Sequence, residues 1–141
     1  MIELVKYNWI VPIEWIADVR VEGKPVTKKR KHHHDPIEHA YKELVAMTFA
    51  QANPRYEMPP PDTRLACWIA WERGRLKKGG EPKAKMDIDN IRKSVQDALN
   101  GVAYVDDSQI KHELGIEVLV PYKEDAVYIA IGIIKGVNKD D

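Results

Sequence analysis

The segment spanning residues 86–110, MDIDNIRKSVQDALNGVAYVDDSQI, constrains the fold of this chain more than any other. Its apolar residues recur every three or four positions, which is typical of an amphipathic helix packed on a core. These are Ile88, Ile91, Val95, Ala98, Leu99 and Val102. Asn100-Gly101 is a helix-ending pair, so we predict a helix over residues 89–100. Asp89 and Lys93, four residues apart, then share the face turned away from the core.

A second helix is predicted to begin at Asp35, with Pro36 in its first turn and Glu38 completing a capping box. Asn53-Pro54 should end it after about Ala52. We expect its buried face to consist of Ile37, Tyr41, Leu44, Val45 and Thr48.

Alternating apolar residues predict four strands. They cover residues 15–22, 64–71, 109–120 and 126–134, and Leu65, Cys67, Ile69 and Trp71 share one side of the second. The resulting order, β-α-β-α-β-β, is most simply a small mixed sheet with both helices packed on one face, an α+β fold. With 141 residues the chain fits one domain, 1–141.

The charges balance overall but are unevenly distributed. Lys plus Arg and Asp plus Glu each number 22, which argues against indiscriminate binding of polyanions. Residues 20–31 nevertheless hold six basic residues against Glu22, and a second basic run occupies residues 73–85. Cys67 is the single cysteine and no apolar stretch is long enough to span a bilayer. We therefore expect a cytoplasmic protein with a buried thiol and no membrane partner.

Acidic side chains and one lysine are concentrated around the helix of residues 89–100. Asp87 and Asp89 open it, Lys93 lies within it, and Asp106-Asp107 follow in a short loop. Carboxylates suit Mg²⁺, and an ammonium group can stabilise the charge of a phosphoryl transition state. Each group also has an ordinary structural interpretation, as a helix cap, a turn residue, or an ion-pair partner of Lys93.

Other metal sites fit this sequence worse. An EF-hand would need an oxygen ligand at Ile91 and a glycine at Arg92. The adjacent histidines at residues 32–34 cannot all face one zinc ion, and no cysteine or second histidine pair accompanies them.

The DIDN sequence, the helical lysine, DALNG and the DD pair before a strand together resemble the RusA family of Holliday-junction endonucleases. Upstream, VRVEGKPVTKKR at residues 19–30 resembles the opening strand and basic turn of that family. The resemblance covers the chain from about Trp15 onward. Residues 1–14 have no counterpart in it and form an N-terminal extension of unknown role.

The resemblance implies a Mg²⁺-dependent endodeoxyribonuclease, with Mn²⁺ as an alternative, that resolves four-way DNA junctions by paired symmetric nicks during recombination and repair. It implies a homodimer in which Asp87, Asp89, Lys93 and Asp107 are catalytic and the three aspartates bind metal. Asp106 is left open as a second ligand or a loop-ordering group. Helix rise separates Asp89 from the loop by about 15–20 Å, so the site could form within one chain or across the dimer.

Basic residues in the two runs are predicted to hold DNA phosphates without reading sequence. They are Lys24, Lys28, Lys29, Arg30, Lys31, Arg73, Arg75, Lys77 and Lys78. Two alternatives remain: a non-catalytic protein that binds branched DNA, and a nuclease of the same chemistry that cuts flaps or forks.

Overall fold

The computed structural model describes residues 12–27, 35–74, 88–121 and 123–135. The order of its elements and their α+β class are those predicted. The elements are β1 (Ile13–Glu22), α1 (Pro36–Ala52), β2 (Leu65–Arg73), α2 (Ile88–Ala98), β3 (Ile110–Leu119) and β4 (Ala126–Ile134). A single 3-10 turn, Asp107–Gln109, leads into β3.

The four strands form one mixed sheet in the order β1-β4-β2-β3. β4 is antiparallel to both β1 and β2, whereas β2 and β3 are parallel. The alternation predicted for β2 is confirmed, since Leu65, Cys67, Ile69 and Trp71 are buried in one core cluster with residues of both helices. Both helices therefore cover the same face of the sheet, as expected.

The start of α1 follows the prediction in part. Asp35 caps the helix, because its Oδ1 accepts hydrogen bonds from the backbone N–H of Ile37 at 3.0 Å and of Glu38 at 3.3 Å. The expected capping box is wrong, since the Glu38 carboxylate instead approaches Lys42 and Ser94. The helix ends at Ala52 with Asn53 as its C-cap, as predicted.

The buried face of α1 also differs from the expected one. Tyr41 and Val45 are buried as predicted, but Ile37 is 65% exposed and Leu44 is 38% exposed. Phe49, which the prediction left out, is buried and packs edge-on against Tyr56 with ring centroids 5.3 Å apart. The four-residue spacing of Tyr41, Val45 and Phe49 sets the core face, which turns Ile37 and Leu44 outward.

The core face of α2 is the predicted one, with Ile91, Val95 and Leu99 fully buried. The helix ends near the expected pair, where Gly101 adopts a φ of 78° that favours glycine. Its first turn lies on β3, where a Cβ added to Gly115 would stand 3.1 Å from Cγ1 of Ile88. This close approach fixes the polar face of α2 beside the edge strand of the sheet.

Candidate active site

The loop after α2 folds back onto the end of that helix. The backbone N–H of Asp107 donates to Oδ1 of Asn100 at 2.8 Å, and Nδ2 of Asn100 donates to Oδ2 of Asp107 at 3.3 Å. The backbone N–H of Gly101 donates to the carbonyl of Tyr104 at 2.7 Å and closes the turn between them. These contacts place the Asp107 carboxylate beside the last turn of α2.

The two neighbouring aspartates have different surroundings. Asp106 is exposed and caps the 3-10 turn, with its Oδ2 accepting from the backbone N–H of Ser108 at 3.2 Å. Hydrogen bonds from the side chain and backbone of Ser108 lower the pKa of the Asp106 carboxyl. Gln109 completes the capping box by accepting from the backbone N–H of Asp106 at 3.1 Å. This arrangement favours a loop-ordering role for Asp106.

Asp107 instead lines an open cavity of about 610 Å³ that is also lined by Lys93 of α2. Glu38 and Lys42 of α1 and Thr27, which follows β1, contribute to its wall. The cavity thus joins the polar face of α2, the returning loop and the first turns of α1. Asp89 is not among its lining residues.

The acidic residues that could pair with Lys93 on its own helix are bonded to other cations. Asp89 pairs with Arg92, at 3.3 Å between Oδ1 and Nη2, and Asp97 pairs with Lys42, at 2.8 Å between Oδ2 and Nζ. Arg92 also pairs with Glu113 on β3. Within the described part of the chain the Lys93 ammonium makes no hydrogen bond or ion pair. The ordinary interpretation of Lys93, as an ion-pair partner of an aspartate on its own helix, is therefore not supported by these contacts.

A polar network that the sequence analysis missed connects the two helices along the wall of the cavity. Lys42 bonds to Asp97 and also to Glu38, with 3.3 Å between Nζ and Oε1. Ser94 Oγ donates to the same Glu38 oxygen at 3.4 Å. The carboxylates beside Lys42 raise its pKa and keep it charged, the Asp97 hydrogen bond contributing most. The spacing of Glu38 and Lys42 could have indicated their pair, but no spacing predicts a contact between two helices.

The predicted DNA-binding residues fall into three groups. Lys24 lies after β1 and is exposed. Arg73 is only 8% exposed; its Nη1 bonds to Glu117 at 2.8 Å and its guanidinium lies 4.5 Å from the centroid of the Trp71 ring. Asp87 and the remaining predicted basic residues lie outside the described residues. These basic residues are Lys28, Lys29, Arg30, Lys31, Arg75, Lys77 and Lys78.

The strands that lead into the two basic runs end side by side. β1 and β2 are both antiparallel to the strand between them, β4, so their final residues lie at the same end of the sheet. Asp125 joins these ends: its carbonyl accepts from the backbone N–H of Gly23 at 2.8 Å, and its Oδ1 accepts from the backbone N–H of Gly74 at 2.8 Å. The strands that precede the two basic runs therefore end at the same end of the sheet, next to a single residue.

The donor chemistry of the site suits a hard cation. Asp89 and Asp107 offer carboxylate oxygens, the ligands that Mg²⁺ prefers. Across residues 12–27, 35–74, 88–121 and 123–135 there is no group of three or more histidine, cysteine, aspartate or glutamate side chains arranged to hold a metal. The third predicted ligand, Asp87, lies outside these ranges.

A carboxylate and a lysine at an open cavity are groups that phosphoryl-transfer enzymes use. The model of the endodeoxyribonuclease RusA family matches residues 17–132 of the 141-residue chain. The chain belongs to this family, and it is accordingly a nuclease of the kind that resolves Holliday junctions. No individual curated protein matches it. No described helix is long and apolar enough to cross a membrane.

Proposed function

We propose that this protein is a Mg²⁺-dependent endodeoxyribonuclease that resolves four-way DNA junctions by paired symmetric nicks, with Mn²⁺ as an alternative metal. Family membership supports the class of reaction and the branched substrate. The observation that carries the assignment to this site is that Lys93 and Asp107 line one cavity. The acidic neighbours of Lys93 on α2 are bonded to Arg92 and Lys42. The Lys93 ammonium makes no ion pair within the described ranges, so it would be available there for a phosphate.

Hydrolysis of a phosphodiester adds a water oxygen to phosphorus and breaks the bond to a leaving oxygen. A bound divalent cation would supply an activated water and neutralise the leaving group. Asp107 would be one ligand of that cation through a carboxylate oxygen. Asp89, which does not line the cavity that Asp107 lines, and Asp87 would complete the site either within one chain or across a dimer. Lys93 would bind a non-bridging phosphate oxygen and stabilise the charge that develops on it.

Affinity for DNA would come from the basic residues that follow the two anchored strand ends. Lys24, Lys28, Lys29, Arg30 and Lys31 follow β1, and Arg75, Lys77 and Lys78 follow β2. Thr27 lies on the cavity wall and immediately precedes Lys28 in the sequence. We do not include Arg73 among the DNA-binding residues, because its guanidinium already forms an ion pair with Glu117 and stacks on the ring of Trp71.

A homodimer suits this reaction. A four-way junction presents two strands that need matching cuts, and a two-fold dimer presents two identical sites in matching positions. Cuts made symmetrically leave ends that a ligase can seal. We propose that the protein acts on junction DNA in this form, in recombination and repair, in the cytoplasm.

The test is cleavage of end-labelled four-way junctions by the full-length protein in Mg²⁺, in Mn²⁺ and in chelator, with a flap, a fork and a linear duplex of the same sequence as controls. We expect metal-dependent nicks at symmetric positions on two opposing strands, preferentially in the junction. Binding without cleavage in either metal would establish a non-catalytic branched-DNA protein instead. Preferential cutting of the flap or fork would support the metal-dependent nuclease activity but would show that the four-way junction is not the preferred substrate.

A further inference from the structure

Asn100 stands between two carboxylates at the end of α2 and uses all of its side-chain hydrogen-bonding groups there. Its Oδ1 accepts from the backbone N–H of Asp107 at 2.8 Å. Its Nδ2 lies 3.3 Å from Oδ2 of Asp107 and 3.4 Å from Oδ1 of Asp97. Because the amide nitrogen carries two hydrogens, it can donate one to each carboxylate. We infer that Asn100 is the positioning residue of the Asp107 carboxylate.

The orientation of this amide follows from its partners. A backbone N–H can only donate, so the Asn100 oxygen faces Asp107 N and the nitrogen faces the two carboxylates. Asp97 is itself fixed by Lys42 of α1, at 2.8 Å. The amide is thereby held from one side by a residue bonded to the neighbouring helix, and it holds Asp107 on the other side.

The contact restrains Oδ2 of Asp107, and among the described residues no hydrogen bond to its other carboxylate oxygen is seen, so that oxygen could bind a metal. Because Oδ2 is the atom that accepts from Asn100, rotation of the carboxylate about its χ2 angle would break that hydrogen bond. The backbone hydrogen bond fixes the Cα of Asp107 at the same time. Hydrogen-bond partners of ligating groups orient them, and removing such a partner typically lowers metal affinity about 10- to 100-fold.

Aspartate and alanine cannot replace Asn100. Aspartate would have the same size but no hydrogen to donate, and would add a third negative charge beside Asp97 and Asp107. Alanine would remove the acceptor of the Asp107 N–H as well as both donors. This inference rests on the proposed function, because it requires the Asp107 carboxylate to be a functional group.

The test measures Mn²⁺ binding to the full-length protein without DNA, by electron paramagnetic resonance of the free ion, together with the melting temperature. We expect Asn100→Ala to weaken Mn²⁺ binding about 10- to 100-fold. Asn100→Gln keeps the amide but displaces it by one methylene, so it should weaken binding in the same direction and serves if the alanine variant does not fold.

Asn53→Ala is the matched control, because Asn53 also caps a helix through its side chain. Its Nδ2 donates to the carbonyls of Phe49 at 3.0 Å and Asp18 at 3.1 Å, away from the cavity. We expect this variant to lose stability without any change in Mn²⁺ affinity. The junction-cleavage rate of Asn100→Ala should also recover in excess Mn²⁺ at a temperature at which its melting curve without metal shows the variant fully folded, so that stabilisation of the fold by bound metal does not account for the recovery.

Asp107→Asn separates the two proposals. If it binds Mn²⁺ as tightly as the wild type, the assignment of Asp107 to the metal is wrong, and the proposed site fails with it. If Asp107→Asn loses binding while Asn100→Ala and Asn100→Gln keep wild-type affinity, the site stands and the positioning role of Asn100 is overturned.

Discussion

Asp125 is a buried side chain whose contribution to stability can be worked out from its hydrogen bonds. It is 8% exposed, its Oδ1 accepts from the backbone N–H of Gly74 at 2.8 Å, and its Oδ2 accepts from Trp71 Nε1 at 3.2 Å. Asp125→Ala would leave two buried donors without these acceptors. Each orphaned donor costs about 1–3 kcal/mol, so we expect the free energy of unfolding to fall by about 2–6 kcal/mol.

That loss is a large share of the roughly 5–15 kcal/mol by which a domain is stable, and it should lower the melting temperature by on the order of 10–20 °C. Asp125→Asn keeps one acceptor for Gly74 but turns an N–H donor towards Trp71, so it should lose only about 1–3 kcal/mol. Asp62→Ala, at an exposed turn position, is the control and should change stability by less than about 0.5 kcal/mol.

Urea unfolding followed by tryptophan fluorescence measures all three variants. The alanine variant should be the least stable, the asparagine variant should be intermediate and the control should be unchanged. A loss below about 1 kcal/mol for Asp125→Ala would refute it, because the two buried hydrogen bonds would then contribute almost nothing.

Three further predictions concern other parts of the molecule. Lys93→Ala should lower the single-turnover cleavage rate about 100-fold or more with an unchanged melting temperature; a near-normal rate would make Lys93 a surface residue. The double variant Lys29→Glu with Arg30→Glu should weaken binding to all branched DNAs. The slope of log affinity against log salt concentration should become shallower by about 0.9 per lost phosphate contact, as measured by titrations at several salt concentrations. An unchanged slope would indicate that the second basic run, and not the first, contacts DNA. Burial raises the pKa of the Cys67 thiol to about 12, so at pH 8 it should react with an aromatic disulfide reagent only in denaturant; rapid labelling of the native protein would contradict its burial.

The sequence predicts the fold well where apolar spacing decides the structure. The stripe of Ile91, Val95 and Leu99 and the alternation of β2 both match the core, because each buries one continuous face. The buried face of α1 is predicted less well. Its buried positions include a charged residue, Glu38, which is satisfied by Lys42 and Ser94 from the two helices, and a hydrophobic pattern cannot signal such a contact.

The candidate site is predictable as a set of residues but not as a geometry. Spacing puts Asp89 and Lys93 on one helix face, yet it does not indicate that Arg92 and Lys42 take the acidic partners of Lys93. Spacing alone also does not distinguish Asp106 from Asp107. Their separation into a cap and a cavity residue depends on the fold of the loop against Asn100, which is a tertiary contact.

We propose that Asp107, and not its neighbour Asp106, supplies a catalytic carboxylate in the cavity that Lys93 also lines. The most direct measurement compares Asp107→Asn with Asp106→Asn in single-turnover cleavage of a four-way junction in Mg²⁺, with junction affinity measured in parallel. Asparagine can still cap the 3-10 turn, so Asp106→Asn should cut at near the wild-type rate. Asp107→Asn should bind the junction as tightly as the wild type, or more tightly, and fail to cut it. Near-normal cleavage by Asp107→Asn would contradict the account.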